Sequence, residues 1–246
     1  VDTGIISSEP FSDDFSGGKL DLEKWTPGWW KATDSKHGLN LGSYKAENLD
    51  FSHGMLSIKI TQTPDREEGI LSSGALIFSK QRFGFGTYEF VMRMTSTSST
   101  PDGRGEVRSG AISSGFIYRH TSETEIDLEF QGGKNAIYIS VWHNLKPDVP
   151  LDTNSDKWPK HTQSVENKLL SNGFHKYTLI WTSKSVRVII DGKLAATQTK
   201  DVPQIPAKIF IQHRGTNSRS WGGEATPNVT RYFYVKSVIF TPEAVK

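Results

Sequence analysis

The chain has 246 residues, with 29 Lys and Arg against 27 Asp and Glu, a net charge of +2 and a pI near 8.6. That balance is too mild and too evenly spread for a nucleic-acid footprint, and every apolar run is far shorter than the ~18 residues a membrane span needs. Cysteine is absent, which excludes a disulfide framework, a thiol nucleophile and a zinc–thiolate site, while 22 Gly and 7 Trp suit an all-β chain that meets a flat, hydroxylated ligand.

Residues 1–10 form a polar lead-in. They lack a charged region followed by an apolar one, so a targeting segment has been removed or none existed, and the expectation is the former, in a secreted or extracellular protein. Residues 11–15 read as an edge strand, with Phe15 and Trp25 as anchors. Residues 26–45, rich in Gly, Lys and Ser, read as a loop carrying Trp29, Trp30 and Tyr44. Paired Trp in a polar loop must be covered or used, as a core anchor or as a sugar-stacking platform. Residues 48–51 and 55–61 pair about His53-Gly54, and a charged turn at 65–68 leads to a strand at 74–78. Residues 83–94 alternate after two glycines and read as a long half-buried strand. The Ser/Thr/Gly-rich stretch 95–110 is too long for a tight turn and reads as a functional rim loop or a mobile flap.

A strand at 111–119 is followed almost at once by Glu125-Ile126-Asp127-Leu128-Glu129-Phe130. Gly132-Gly133 then turns the chain into 137–144, where Tyr138, Ser140 and Trp142 share one face and Ile137, Ile139 and Val141 the other. Residues 145–172 form a second long excursion containing Trp158. Strands follow at 174–181 and 185–190, and Asp191-Gly192 is a two-residue hairpin turn of the kind that needs positive φ. Strands at 208–212 and 232–240 close the chain, separated by a Gly-rich loop with Arg214, Arg219 and Trp221. No stretch has convincing 3.6-residue periodicity, and there is neither a linker nor a repeat. One domain over residues 1–246, built as two packed antiparallel sheets, is the economical reading.

The acidic strand carries the chemistry. Period two puts Glu125, Asp127 and Glu129 on one face and Ile126, Leu128 and Phe130 on the other. Three like charges a few Å apart repel, so at least one should hold its proton above its ordinary pKa. Asp and Glu are depleted in strands, and no Lys or Arg is interleaved to neutralise the row. Calcium ligands come more often from Gly-containing loops and carbonyls, so the row reads as a carboxylate active site rather than a metal site. Glycosidic cleavage with retention needs a nucleophilic carboxylate and an acid/base carboxyl ~5–5.5 Å apart. On a flat strand the Cα atoms of Glu125 and Glu129 lie ~13 Å apart, so twist and side-chain lean must close the gap. If 137–144 pairs across the Gly-Gly turn with matched apolar faces, Tyr138, Ser140 and Trp142 flank the carboxylates.

Glu-Ile-Asp-Leu-Glu-Phe resembles the catalytic signature of glycoside hydrolase family 16. Phe15 with Trp25, the run from Gly84 to Glu89, Phe174-His175 before Trp181, Asp191-Gly192 and Tyr234-Val235-Lys236 resemble family landmarks in the same order. The resemblance implies an all-β, concanavalin-like jelly-roll sandwich of two antiparallel sheets with a concave substrate cleft. It implies Glu125 as nucleophile, Glu129 as acid/base and Asp127 as the assisting residue. The spacing, with no extra residue before the last Glu, is similar to the lichenase and xyloglucan-enzyme branch. Where lichenases carry a Glu and an Arg that grip the glucan, the matching positions here are Leu76 and Phe78. A structural calcium in parts of the family uses an acid in the last strand, where this chain has Phe233.

The resulting expectation is an endo-acting, retaining β-glycosidase acting on a polysaccharide, foremost a β-glucan. It would be secreted and monomeric, without a cofactor. Trp142, Tyr138, Ser140, Trp29, Trp30, Trp221 and Arg119 are the candidate substrate-binding residues, although Arg119 could equally pair with Glu123. Arg214 and Arg219 could read an acidic or sulfated sugar. Alternatives are an endo-β-galactanase, a transglycosylase, which product analysis at high acceptor concentration separates, and a non-catalytic carbohydrate-binding module, which would bind without turnover.

Overall fold

A computed structural model describes residues 4–34, 39–143, 160–166 and 169–244. In chain order the strands are β1 (Ile6–Ser7), β2 (Phe11–Asp13), β3 (Trp25–Pro27), β4 (Lys31–Asp34), β5 (Leu39–Tyr44), β6 (Leu49–Asp50), β7 (Leu56–Asp65), β8 (Gly69–Ser79), β9 (Arg82–Phe83) and β10 (Gly86–Ser96). They continue with β11 (Ala111–Arg119), β12 (Thr124–Gln131), β13 (Ala136–Trp142), β14 (Lys160–Glu166), β15 (His175–Trp181), β16 (Val186–Ile190), β17 (Lys193–Gln198), β18 (Lys208–Gly215) and β19 (Arg231–Pro242). Among the described residues the only helical turns are short 3-10 segments at Ala46–Asn48 and His120–Ser122.

Two antiparallel sheets pack face to face. One has the order β6-β7-β19-β10-β15-β16-β17, with β2 alongside the far end of β19. The other has the order β14-β13-β12-β11-β18-β8-β3, which puts the acidic strand β12 near its middle. Ile126, Leu128 and Phe130 of β12, Ile117 of β11 and Ile209 and Ile211 of β18 point between the sheets with no exposed surface. They form one cluster with Phe90 and Met92 of β10, Leu179 and Trp181 of β15, and Phe233 and Val235 of β19. Each large apolar side chain buried this way contributes about 1.5–3 kcal/mol. A one-residue slip of β12 would exchange three such residues for three carboxylates, so the register is fixed by the core. Trp25 and Trp181 are core residues, as their alternating context predicts, and their indole N–H groups reach Asp13 Oδ2 at 2.7 Å and the Pro203 carbonyl at 2.9 Å.

The hairpin reading holds at Asp191-Gly192, where φ is +48° and +79°. Three expectations need correction. Residues 26–45 are not simply a loop. β4 pairs with β5, and β5 runs parallel to the start of β8 through Ser43 and Ser73, a partner about thirty positions away that no local pattern announces. Arg214 belongs to β18 rather than to the following loop, because that strand runs on to Gly215. The stretch 95–110 is not a mobile flap. The buried Arg93 guanidinium donates to the carbonyls of Thr100 and Pro101, and the Tyr234 hydroxyl donates to the Ser98 carbonyl. Within the second excursion β14 continues the cleft sheet, whereas Asn144 and Trp158 lie outside the described residues.

Candidate active site

The cleft is the outer face of the β14-β13-β12-β11-β18-β8 sheet, and the strand register arranges its side chains in rows. Glu125 lies opposite Trp142 on β13 and Tyr118 on β11; Asp127 opposite Ser140 and Phe116; Glu129 opposite Tyr138 and Ser114. The rows continue through Phe210, Gln212 and Arg214 on β18 to Leu76 and Phe78 on β8. On the β11–β18 side the cleft encloses about 530 Å³ and is lined by the triad together with Trp30, Tyr44, Phe116, Phe210, Arg214 and Trp221.

The acidic face is half-buried, and burial is the first cause acting on all three carboxyls. Glu125 is pushed up to about 7, by desolvation first and by the charge of Glu129, against hydrogen bonds from Ser122 and Asp127 and the charge of Lys160. Asp127, between two carboxylates, is raised well above its ordinary value by burial and by both neighbours, against the Trp142 indole N–H at 3.2 Å. Glu129 is raised by burial, but two donors oppose this. Trp221 Nε1 and Gln131 Nε2 each donate to its Oε1 at 2.8 Å. Crowded like charges cannot all ionise, so the triad titrates as a unit. The central Asp127, with a like charge on either side, is the natural seat of the shared proton.

The sequence-derived binding residues divide into three groups. Trp30 and Trp221 line the cleft, Trp30 in edge-to-face contact with Tyr44 at 5.6 Å. Tyr138, Ser140 and Trp142 flank the carboxylates in the expected register. Lys160 lies 4.0 Å over the Trp142 ring, and Ser140 Oγ is 2.9 Å from Thr162 Oγ1. Trp29 departs from the expectation, and Arg119 takes the alternative of pairing with Glu123. Trp29 is 73% exposed and packs edge-on against Trp30 outside the cleft wall. Arg119 falls on the opposite parity of β11 from Tyr118, and its Nε reaches Glu123 Oε2 at 2.5 Å, so it is an ion-pair residue.

Phe78, Phe116, Phe210, Gln212 and Ser114 were not singled out from sequence as binders, whereas Arg214 was weighed as a reader of an acidic sugar. Phe116 and Phe210 stack with centroids 5.0 Å apart, and Phe78 stacks on Phe210 at 5.3 Å, paving the floor beside Asp127. Gln212 accepts the Tyr44 hydroxyl at 2.9 Å, which leaves its NH2 for a ligand. Ser114 Oγ and Arg214 Nε are buried atoms without hydrogen-bond partners. The Arg214 guanidinium lies 4.8 Å over Trp221 and 5.8 Å over Tyr44. The alternation of 208–214 carried the signal, since Phe210, Gln212 and Arg214 share the parity opposite to Ile209 and Ile211.

The calcium position of some relatives does not fit this chain. Phe233 is fully buried among apolar side chains and brings no oxygen, and the described residues hold no cluster of three or more His, Asp or Glu arranged for a metal. Among the described residues no helix is long and apolar enough to cross a membrane.

Residues 37–231 match the family model "Glycosyl hydrolases family 16". A β-glucanase of Paenibacillus polymyxa is 26% identical over 226 residues, covering 85% of this chain and 81% of that protein. β-Porphyranase E of Zobellia galactanivorans is 23% identical over 268 residues, covering 96% and 88%. The fold superposes with a TM-score of 0.74 on a β-1,3-1,4-glucanase (lichenase) from a mouse hindgut metagenome, at 21% identity over 95% of this chain and 99% of that one.

Proposed function

The chain belongs to glycosyl hydrolases family 16, and from that premise we propose that it is an endo-acting, retaining glycanase that hydrolyses a β-glucan. The observation that carries the reading is the cleft-facing row Glu125-Asp127-Glu129, with Glu125 raised partly by the charge of Glu129. Several sugar units fit along an open, aromatic-floored cleft, which suits cleavage within a chain. Glu129 donates its proton to the glycosidic oxygen as the bond to the anomeric carbon breaks. Glu125 attacks that carbon from the opposite face and forms a glycosyl ester. Glu129, now ionised, takes a proton from water, whose oxygen displaces Glu125 and restores the original anomeric configuration. Asp127 holds its proton and donates a hydrogen bond to Glu125, which opposes the rise that burial imposes and so favours the ionised nucleophile. A polymer of this size is met outside cells, so the protein acts there.

One observation favours a second substrate reading, an anionic galactan. Leu76 and Phe78 lack the polar grip of a lichenase. The wall facing the cleft beside Glu129 instead offers Arg214 Nε and the Gln212 NH2, which only donate, and the Ser114 hydroxyl. A sulfate or carboxylate accepts from donors of each of these kinds.

A reducing-end release screen tests both readings, with the wild type and Glu125→Gln against lichenan, laminarin, xyloglucan, agarose and a sulfated galactan. Release from a β-glucan, lost in the variant, is the expected result. Release from the sulfated galactan alone selects the second reading. Undiminished release by Glu125→Gln overturns the catalytic assignment, and binding without release from any polymer returns the chain to a binding module.

A further inference from the structure

We infer that Gln131 and the indole of Trp221 form a clamp that holds Glu129 by a single oxygen, sets the pH at which it gives up its proton and fixes which oxygen carries that proton. The inference rests on the reading of Glu129 as acid/base and goes beyond it by assigning positioning residues.

Gln131 is buried at the end of β12, two residues after Glu129 and on the same strand face. Its carbonyl Oε1 accepts the backbone N–H of Gly222 at 3.1 Å. A backbone N–H can only donate, so this contact fixes the amide orientation and directs the NH2 toward Glu129. Trp221, ninety-two positions beyond Glu129, completes the arrangement from the opposite loop. Both N–H groups converge on Oε1 at 2.8 Å. With the two lone pairs of Oε1 engaged, the proton of the neutral acid resides on Oε2, which makes Oε2 the oxygen that meets the glycosidic bond.

The loop that brings Trp221 is itself built in. The Gly222 carbonyl accepts the N–H groups of Gly110 at 3.0 Å and Gly133 at 2.9 Å. Gly222 has φ of +73°, and a Cβ there would stand 2.3 Å from Thr216 Oγ1, so no other residue fits without displacement. Gly133 is equally constrained, since its added Cβ would stand 2.6 Å from Gly223 Cα. Gly133 therefore serves close approach between this turn and the Trp221 loop. Across the indole, the Arg214 guanidinium at 4.8 Å adds a positive charge that also favours ionised Glu129.

Hydrogen bonds to a carboxylate stabilise its charged form, so the clamp works against burial. Without it Glu129 stays protonated to higher pH. A residue that must act first as acid and then as base needs a pKa close to the working pH, and burial alone overshoots in the direction that spoils the second step.

The test is the pH profile of kcat/KM for Gln131→Met and Trp221→Phe, each of which keeps bulk and removes one donor. The alkaline limb, which reports the protonated acid in the free enzyme, should move up by about one pH unit in each variant, a tenfold change in the proton affinity of the site. A uniform loss of activity with the limb in place would mean that the contacts are only structural, and would overturn the inference. Two variants from separate elements guard against one failing to fold. The underlying reading is checked separately by Glu129→Ala with an aryl β-glycoside bearing an activated leaving group. Azide rescue with formation of a β-glycosyl azide establishes Glu129 as acid/base whatever the clamp does. Absence of rescue removes the premise, whereas rescue with unmoved limbs removes the clamp alone.

Discussion

The cost of holding charge in the cleft can be measured without any substrate. Glu125 keeps its proton up to about 7 in the folded chain, against an ordinary value of 4.5. Between those two pH values the folded state binds more protons than the unfolded one, so stability falls as pH rises through the window and the loss is complete above it. At about 1.4 kcal/mol per pH unit the full gap corresponds to about 3 kcal/mol. Partial exposure of the cleft face brings this to about 2 kcal/mol. Glu125→Gln removes the ionisation while an amide oxygen can still accept the Ser122 hydroxyl. The variant should therefore melt about 4–8 °C above the wild type at pH 8, for a chain of this size, and the difference should shrink toward zero at pH 4, where the wild-type carboxyl is already neutral. The buried His213, whose imidazole is held down to about 3 by burial, destabilises both proteins on the acid side and cancels in the comparison. Scanning calorimetry across pH 4–8 provides the readout. A difference that does not vary with pH, or a variant less stable at pH 8, would refute the account of the triad as a strained, partly protonated unit.

Other outcomes follow from the same geometry. Arg214→Met should raise KM for the natural polymer about tenfold or more while kcat changes less, because the lost guanidinium binds rather than reacts; a fall confined to kcat would contradict that role. Arg93→Met should cost about 3 kcal/mol and open residues 97–108 to limited proteolysis, since it releases the carbonyls of Thr100, Pro101 and Ser171; an equally protected loop would contradict the pinning. The ring signals of His213 should not titrate in NMR between pH 8 and 5, because Nδ1 meets the Ile58 carbonyl at 2.7 Å and Nε2 the Thr95 hydroxyl at 2.8 Å in a buried site; a midpoint near the ordinary 6.5 would show an opening to solvent.

What could be read in the sequence was whatever depends on period two and on neighbours across a tight turn. The parity of Glu125, Asp127 and Glu129, and the flanking of that row by Tyr138, Ser140 and Trp142, follow from one strand and the next. Residues 208–214 held a weaker version of the same signal, and carrying the alternation past Gln212 would have placed His213 inside and Arg214 in the cleft. Features set by distant partners left no such trace. Gln131 and Trp221 meet only because the β18–β19 connection folds back over the end of β12. β5 takes its second partner, beside β4, from residues 73–74 of β8. The 95–110 stretch has the composition of a flexible loop, yet it is tied down by Arg93 and Tyr234 from two different strands. Trp29 and Trp30 are adjacent in sequence, yet Trp30 packs against Tyr44 and Phe78 in the cleft wall while Trp29 stands in solvent.

The central claim is double displacement through Glu125, and trapping the intermediate tests it most directly. A 2-deoxy-2-fluoro glycoside with a good leaving group, built on the oligosaccharide that the wild type cleaves, should inactivate the enzyme stoichiometrically. Mass mapping of the digested adduct should then place the sugar on the peptide carrying Glu125, ester-linked at that residue. A label on Glu129 or on any carboxylate outside the row, or continued turnover without any adduct, would contradict the account.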